Sequence, residues 1–150
     1  RVTATVRSES SREQVAALGA EAIAPEDFAQ HGPFDVILEL VGAPNMPENL
    51  NALTTGGRIV VIGVSAGVKT ELNLLALMGK RARIHGSTLR ARPLEEKGIT
   101  ARLLECEVLP LFDTGSLRVP IAATFPLEEA AAAYERFAAG GKLGKIVLTI

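Results

Sequence analysis

Cationic and hydroxyl side chains follow the first apolar segment of the chain, Val2–Val6. Arg7 and Ser8 come directly after this segment, and Arg12 lies about one helical turn further on. A guanidinium group forms paired, charge-assisted hydrogen bonds with a phosphate group, and a hydroxyl adds another donor. The cluster therefore predicts phosphate binding. The alternative is that both arginines are solvated surface charges and that the neighbouring Glu9 weakens the site.

Glycine follows two other apolar segments. Gly42 comes shortly after Phe34–Leu40, and Gly63 comes directly after Arg58–Ile62. Ligands of open parallel sheets bind beyond the carboxyl ends of the strands, and a glycine there allows a close approach to the backbone. These two turns, together with Ser87–Leu89, are therefore candidate binding positions. Glycine is also common after any strand, so a purely structural role remains equally open.

The sequence offers no constellation of residues for acid–base or metal chemistry. His31 and His85 have no obvious carboxylate or nucleophile partner in the sequence, and Cys106 is expected to fill space in the core. One cysteine and two distant histidines cannot assemble a tetrahedral zinc site. We therefore predict no catalytic residue and no metal ligand in this chain.

The elements that would position these residues alternate along the chain. Short β-branched segments alternate with segments of helical spacing, which indicates βαβ units. Strands are predicted at Val2–Val6, Glu21–Ala24, Phe34–Leu40, Arg58–Gly63, Arg81–Thr88, Ile121–Thr124 and Lys145–Ile150. Helices are predicted at Ser11–Leu18, Asn45–Leu53, Leu72–Met78 and Leu94–Leu111, and from Pro126 onward. The nearly continuous apolar segment Arg58–Gly63 belongs at the centre of a parallel sheet.

The composition is that of one folded domain. The 150 residues are 47% hydrophobic and 22% charged, which excludes disordered and collagen-like chains. A net charge of −1 argues against nucleic acid as a partner. The apolar runs fall short of the roughly 20 residues of a membrane span. A lone cysteine cannot form an internal disulfide, which favours a cytoplasmic location.

Several segments together resemble the nucleotide-binding half of the medium-chain dehydrogenase/reductase family, specifically its zinc-free quinone oxidoreductase branch. The resemblance covers nearly the whole chain and rests on the order and spacing of these segments. They are residues 2–5, 17–20, 34–42, 57–63, 84–88, 125–131 and 144–148. The resemblance implies an α/β fold with a Rossmann-like, doubly wound parallel sheet and a C-terminal strand–helix–strand segment.

Two parts of the family pattern are missing from the chain. No Gly-x-Gly-x-x-Gly sequence occurs, so the first strand and its Gly-rich loop are expected before Arg1, as is the substrate domain. We expect residues 1–115 to form a partial Rossmann domain and residues 116–150 to return to the substrate domain.

In the usual strand order 3-2-1-4-5-6, losing strand 1 leaves a gap between Val2–Val6 and Phe34–Leu40. Either these strands pair directly, or both keep an unpaired edge.

The resemblance also implies which turns contact a nicotinamide dinucleotide. Two turns would run past its riboses, and a third would lie near the nicotinamide. They comprise Leu40, Val41 and Gly42; Gly63 and Val64; and Thr88, Leu89 and Arg90. Hydride transfer depends little on acid–base residues, because the cofactor supplies the hydride. The protein positions the cofactor and excludes water.

Charge predicts which form of the cofactor is bound. A free adenosine ribose is usually held by an acidic residue at the end of the second family strand. That position is Val6 here, and Arg7 and Ser8 follow it. Together with Arg12, these residues suit the 2′-phosphate of NADPH, so we predict NADPH rather than NADH.

These features predict the cofactor-binding fragment of an NADPH-dependent oxidoreductase that passes hydride to a quinone or conjugated carbonyl. The fragment alone is expected to be inactive. The resemblance implies a homodimer formed through the edge strand Arg81–Thr88. Two alternatives stay open: a fragment of a zinc-dependent alcohol dehydrogenase, with its metal ligands in the absent domain, and a noncatalytic Rossmann-like interaction module.

Overall fold

The computed structural model describes all residues from 1 to 150 and is a mixed α/β structure. Its strands are β1 (Thr3–Thr5), β2 (Glu21–Ile23), β3 (Phe34–Glu39), β4 (Leu53–Val61), β5 (Arg83–Gly86), β6 (Ile121–Pro126) and β7 (Lys145–Thr149). Its helices are α1 (Glu9–Ala16), α2 (Met46–Asn51), α3 (Leu74–Gly79), α4 (Leu94–Glu107), α5 (Pro110–Asp113) and α6 (Ala130–Ala138). Short 3₁₀ helices cover Pro25–His31, Ala43–Asn45 and Leu127–Glu129. None of the helices combines the length and the apolar character that a membrane span requires.

The strands pair in three parallel groups, β1-β2, β3-β4-β5 and β6-β7. The predicted α/β class with parallel strands is therefore confirmed, and β4 is the central strand of its group, as its apolar sequence indicates. The strands on either side of the expected gap, β1 and β3, do not pair with each other; β1 pairs with β2 and β3 with β4. Of the two alternatives, the structure shows the one in which both strands keep an unpaired edge.

The chain divides into two compact units. The terminal unit comprises Arg1–Pro25 and Gly98–Ile150, and the central unit comprises Glu26–Lys97. The terminal unit contains the pairs β1-β2 and β6-β7, whereas the group β3-β4-β5 lies wholly in the central unit.

The core of the central unit lies on one face of β3 and β4. Leu50, Leu53 and Ile59 are at most 1% exposed. Side chains alternate between the two faces of a strand, and on the opposite face Val36 and Leu38 are 45% and 58% exposed. The strand predicted at Phe34–Leu40 is therefore present as β3, and only one of its faces is covered in this chain.

The glycine pair Gly56–Gly57 lies inside β4. The preceding helix α2 ends at Asn51, and Gly56 and Gly57 fall where the pairing between β3 and β4 changes register. Gly56 has φ +83°, in the left-handed region that glycine adopts without strain. The pair therefore forms an irregularity within the strand, as is common for glycine in a β-bulge.

Candidate functional site

A cleft of about 580 Å³ lies beyond the carboxyl end of β1 in the terminal unit. We call it the β1 cleft; it is lined by Thr5, Val6, Arg7, Ser8, Ser11, Val15, Gly141, Lys142 and Leu143. Two cationic residues, Arg7 and Lys142, thus line the same cleft as the hydroxyl-bearing residues Ser8 and Ser11. No acidic residue lines it, and Glu9, which the sequence suggests could weaken the site, is absent from its walls. This arrangement suits a phosphate group.

Arg12 has a different environment from Arg7. Its Nε donates a hydrogen bond to the carbonyl oxygen of Val6 at 3.2 Å, and its side chain is half-buried. Arg12 does not line the β1 cleft, whereas Arg7 lines it and is exposed. The structure therefore brings Arg7 and Ser8 together in one cleft, while Arg12 supports the end of β1.

Lys142 is a candidate that the sequence does not single out. It lies in the loop between α6 and β7, after Gly140 and Gly141, which adopt φ +66° and +59°. Its Nζ donates to the carbonyl oxygen of Phe137 at 3.0 Å and lies 4.1 Å from the centroid of the Phe137 ring. Only the tertiary structure places this lysine on the same cleft as Arg7, because the two lie near opposite ends of the chain.

A second cleft, of about 430 Å³, lies at the carboxyl ends of β4 and β5. We call it the β4–β5 cleft; it is lined by Val61, Ile62, Gly63, Val64, Gly86, Ser87 and Thr88. It brings together Gly63, Val64 and Thr88, three of the predicted binding residues. Leu89 and Arg90 are exposed in the segment that follows and do not line this cleft.

The two glycines at the strand ends make room for a neighbouring loop. A Cβ on Gly63 would collide with the backbone of Leu40, and a Cβ on Gly42 would collide with the carbonyl oxygen of Gly67 and the backbone of Val64. Gly42 also has φ +105°. Both glycines thus have the structural role that the sequence leaves open, since they let the turns after β3 and β4 pack backbone against backbone.

Glu39, the last residue of β3, is buried at 3% exposure. Its Oε1 accepts hydrogen bonds from the amides of Val41 and Gly42, the latter at 2.7 Å, and from Asn45 Nδ2 at 3.5 Å. Its Oε2 accepts a hydrogen bond from Asn49 Nδ2. Burial raises the pKa of Glu39, but the hydrogen bonds from Gly42, Val41, Asn49 and Asn45 outweigh it, so the pKa lies below its ordinary value.

This lowered pKa gives a prediction for stability in acid. A carboxyl group whose pKa is lower in the folded state stabilises the fold above its unfolded pKa, and this stabilisation disappears as the pH falls through the folded pKa. We expect Glu39→Gln to be less stable than the wild type at neutral pH, and the difference to narrow below pH 4.5. Urea unfolding at several pH values measures this. The exposed neighbour Glu48 offers a matched control, Glu48→Gln, and a pH-independent difference for Glu39→Gln would contradict the prediction.

Residues with metal-binding or nucleophilic side chains do not gather in the structure. No group of three or more His, Cys, Asp or Glu side chains is placed to hold a metal ion. Cys106 on α4 is exposed, so the expectation that it fills the core is wrong. The helix α4 has no buried residue, which explains why its cysteine is open to solvent.

Comparison with known proteins identifies the family. A family model described as a zinc-binding dehydrogenase matches residues 18–148. The quinone oxidoreductase of Mus musculus is 34% identical over 117 residues, which cover 77% of this chain and 34% of that protein. Acryloyl-coenzyme A reductase of Metallosphaera sedula is 32% identical over 122 residues, covering 81% and 34%. The chain spans about a third of the length of these curated relatives.

Solved structures agree with this comparison. The quinone oxidoreductase of Thermus thermophilus, solved alone and in complex with NADPH, superposes with a TM-score of 0.81 at 30% identity. The match covers 100% of this chain and 50% of that one. A mycobacterial quinone oxidoreductase, at 20% identity, shows the same fold with a TM-score of 0.85 over 100% of this chain and 49% of that one. The structure thus has the fold of the nucleotide-binding domain of an oxidoreductase. The chain belongs to the medium-chain dehydrogenase/reductase family, as its sequence predicts, and the family model that it matches is described as a zinc-binding dehydrogenase.

Proposed function

We propose that this chain binds NADPH and is the cofactor-binding part of an enzyme that transfers hydride to a quinone or another conjugated carbonyl compound. The observation that carries the proposal is the β1 cleft, in which Arg7 and Lys142 stand beside serine hydroxyls and no carboxylate is present. Relatives named quinone oxidoreductase, one of them solved with NADPH, support the same activity.

The chemistry of the β1 cleft favours a phosphorylated adenosine ribose. Arg7 can hold phosphate oxygens through its planar guanidinium, and Ser8 can donate its hydroxyl. Lys142 adds a compact positive charge to the same cleft. A free ribose would instead need an acidic acceptor for its hydroxyl groups, and none lines the cleft. Arg12 is proposed to support this site through its bond to the Val6 carbonyl.

We propose that the nicotinamide end lies at the β4–β5 cleft. The turns Leu40–Gly42 and Gly63–Val64 would run past the riboses, and Thr88–Arg90 would lie near the nicotinamide. When bound, the cofactor supplies the hydride, so the chain has only to hold the ring, orient one of its faces and exclude water. For this reason no residue of this chain is assigned a proton transfer.

Titration of the purified protein with NADPH, followed by cofactor fluorescence, tests the proposal. We expect saturable binding in the micromolar range and weaker binding of NADH. Absence of saturable binding of either cofactor would overturn the proposal and favour a noncatalytic interaction module.

A zinc-dependent alcohol dehydrogenase is a second candidate, because the matching family model is described as a zinc-binding dehydrogenase. Its metal ligands would lie outside this chain. Metal analysis of the purified enzyme distinguishes the two: stoichiometric zinc supports the alcohol dehydrogenase, and metal-free hydride transfer to a quinone supports our proposal.

We also propose a cytoplasmic location, because the exposed thiol of Cys106 stays reduced there.

We propose a domain division at residue 115, which falls inside the terminal unit. Residues 1–115 would form a Rossmann domain that takes up one more strand, since β1 and β3 each have a free edge. Residues 116–150 would contact a substrate domain. In α6, the buried residue is Ala133, whereas Tyr134 and Phe137 are 73% and 61% exposed. We propose that a further domain covers these two exposed rings.

We propose a homodimer formed through the free edge of β5, which pairs with β4 on its other side. A twofold axis beside β5 would join two such groups of strands into one sheet and would satisfy the unpaired backbone groups of Arg83–Gly86. Light scattering is expected to give the mass of a dimer at micromolar concentration. The mass of a monomer under these conditions would contradict the proposed dimer.

A further inference from the structure

One residue connects the two turns that are proposed to run past the riboses. The carboxylate of Glu39 accepts the amides of Val41 and Gly42 in the turn after β3. Its backbone carbonyl oxygen accepts the amides of Ile62 and Gly63, at 3.0 and 3.1 Å, in the turn after β4. The side chain of Glu39 therefore fixes one turn, and its main chain fixes the other.

The first turn is also bonded directly to the loop that follows β4, which begins with the second turn. The amide of Ala66 donates to the carbonyl oxygen of Val41 at 2.9 Å, and the amide of Ala43 donates to the carbonyl oxygen of Gly67 at 3.0 Å. Gly42 has no Cβ, which allows this approach. A change in the path of the first turn would therefore move the second.

Burying a carboxylate at the end of a strand is energetically unfavourable by itself. A buried charge is unfavourable unless its oxygens accept hydrogen bonds, and here the amide groups of Asn45 and Asn49 complete the set. Hydrogen bonds to an ionised acceptor are about twice as strong as neutral ones. What the buried carboxylate adds, beyond filling space, is a fixed direction for the amides of Val41 and Gly42.

We infer that Glu39 is a positioning residue for cofactor binding: through its carboxylate and its carbonyl oxygen it holds both ribose-contacting turns in one arrangement before the cofactor arrives. This inference rests on the proposed function. Glu39 itself would touch no cofactor atom, because it is buried beneath the turns.

The test compares Glu39→Gln with Glu48→Gln, a change of the same type at an exposed position on α2. The neutral glutamine oxygen is a weaker acceptor, so we expect NADPH and NADH to bind about tenfold more weakly to Glu39→Gln, with their ratio unchanged. Amide NMR signals of Val41, Gly42 and Gly63 should shift together. Glu48→Gln should match the wild type.

The outcomes separate the inference from the proposed function. Wild-type affinity in a folded Glu39→Gln protein, or a shift of Val41 and Gly42 without Gly63, would overturn the inference. If wild type itself binds no NADPH, the proposed function fails, whatever the amide signals show. If Glu39→Gln does not fold, hydrogen exchange of the wild type decides: slow exchange of the Val41 and Gly42 amides without cofactor supports the inference, and fast exchange overturns it.

Discussion

Replacing Arg7 and Lys142 together by alanine is expected to remove most of the preference for NADPH over NADH. Each cation can form a charge-assisted hydrogen bond to the 2′-phosphate, worth about 1.5–3 kcal/mol. Losing both would lower the affinity for NADPH by roughly two to four orders of magnitude. The affinity for NADH should change little, because it lacks that phosphate. Fluorescence titration of both cofactors measures the ratio directly.

Two further variants separate the contributions to this preference. Arg118→Ala removes an exposed cation of the terminal unit that does not line the β1 cleft, so the preference should be unchanged. Arg12→Ala should lower stability more than it lowers the preference, because Arg12 bonds the Val6 carbonyl. An unchanged NADPH-to-NADH ratio in the Arg7→Ala/Lys142→Ala protein would show that the β1 cleft does not select the phosphate.

Replacing Gly63 by alanine is expected to lower the free energy of unfolding by about 1–3 kcal/mol. The φ of Gly63 is not positive, so the backbone conformation allows alanine. The change in stability therefore reports on the contact of the new Cβ alone. The new Cβ would collide with the backbone of Leu40, which cannot rotate away as a side chain would. The turns after β3 and β4 would separate, and cofactor binding should weaken as well. Urea unfolding measures the first effect and cofactor titration the second.

Gly98 provides the matched control for this prediction. It lies inside α4, and nothing is within 4 Å of where its Cβ would be. Gly98→Ala should therefore stabilise the protein by roughly 0.5–1 kcal/mol, since glycine is a poor helix residue. Equal stability changes for Gly63→Ala and Gly98→Ala would mean that the two turns do not pack as closely as described.

The positions of the strands could largely be predicted from the sequence. Short β-branched runs such as Phe34–Leu40 have few other conformations available, and β3 occupies nearly the same residues. The bulge at Gly56–Gly57 could not be predicted locally, because a glycine pair also ends helices. The role of the glycine pair is decided by the pairing of β4 with β3. That pairing cannot be inferred from the sequence of one segment alone.

The candidate site could be predicted in part. Arg7 and the turns at Gly42 and Gly63 follow strands, so the topology alone marks them. Lys142 reaches its cleft only through the tertiary structure. The burial of Glu39 depends on the two asparagines of the following segment, whose side chains turn inward only once that segment folds against β3. The exposure of Tyr134 likewise depends on what is packed beside α6, which a helical pattern cannot specify.

Amide NMR of the protein during titration with NADPH tests the central claim most directly. We predict that the signals of Arg7 and Ser8 in the β1 cleft and those of Gly63 and Thr88 in the β4–β5 cleft shift with one common dissociation constant. With NADH, the shifts at Arg7 and Ser8 should be much smaller. Shifts confined to one cleft, or equal shifts with both cofactors at Arg7, would contradict it.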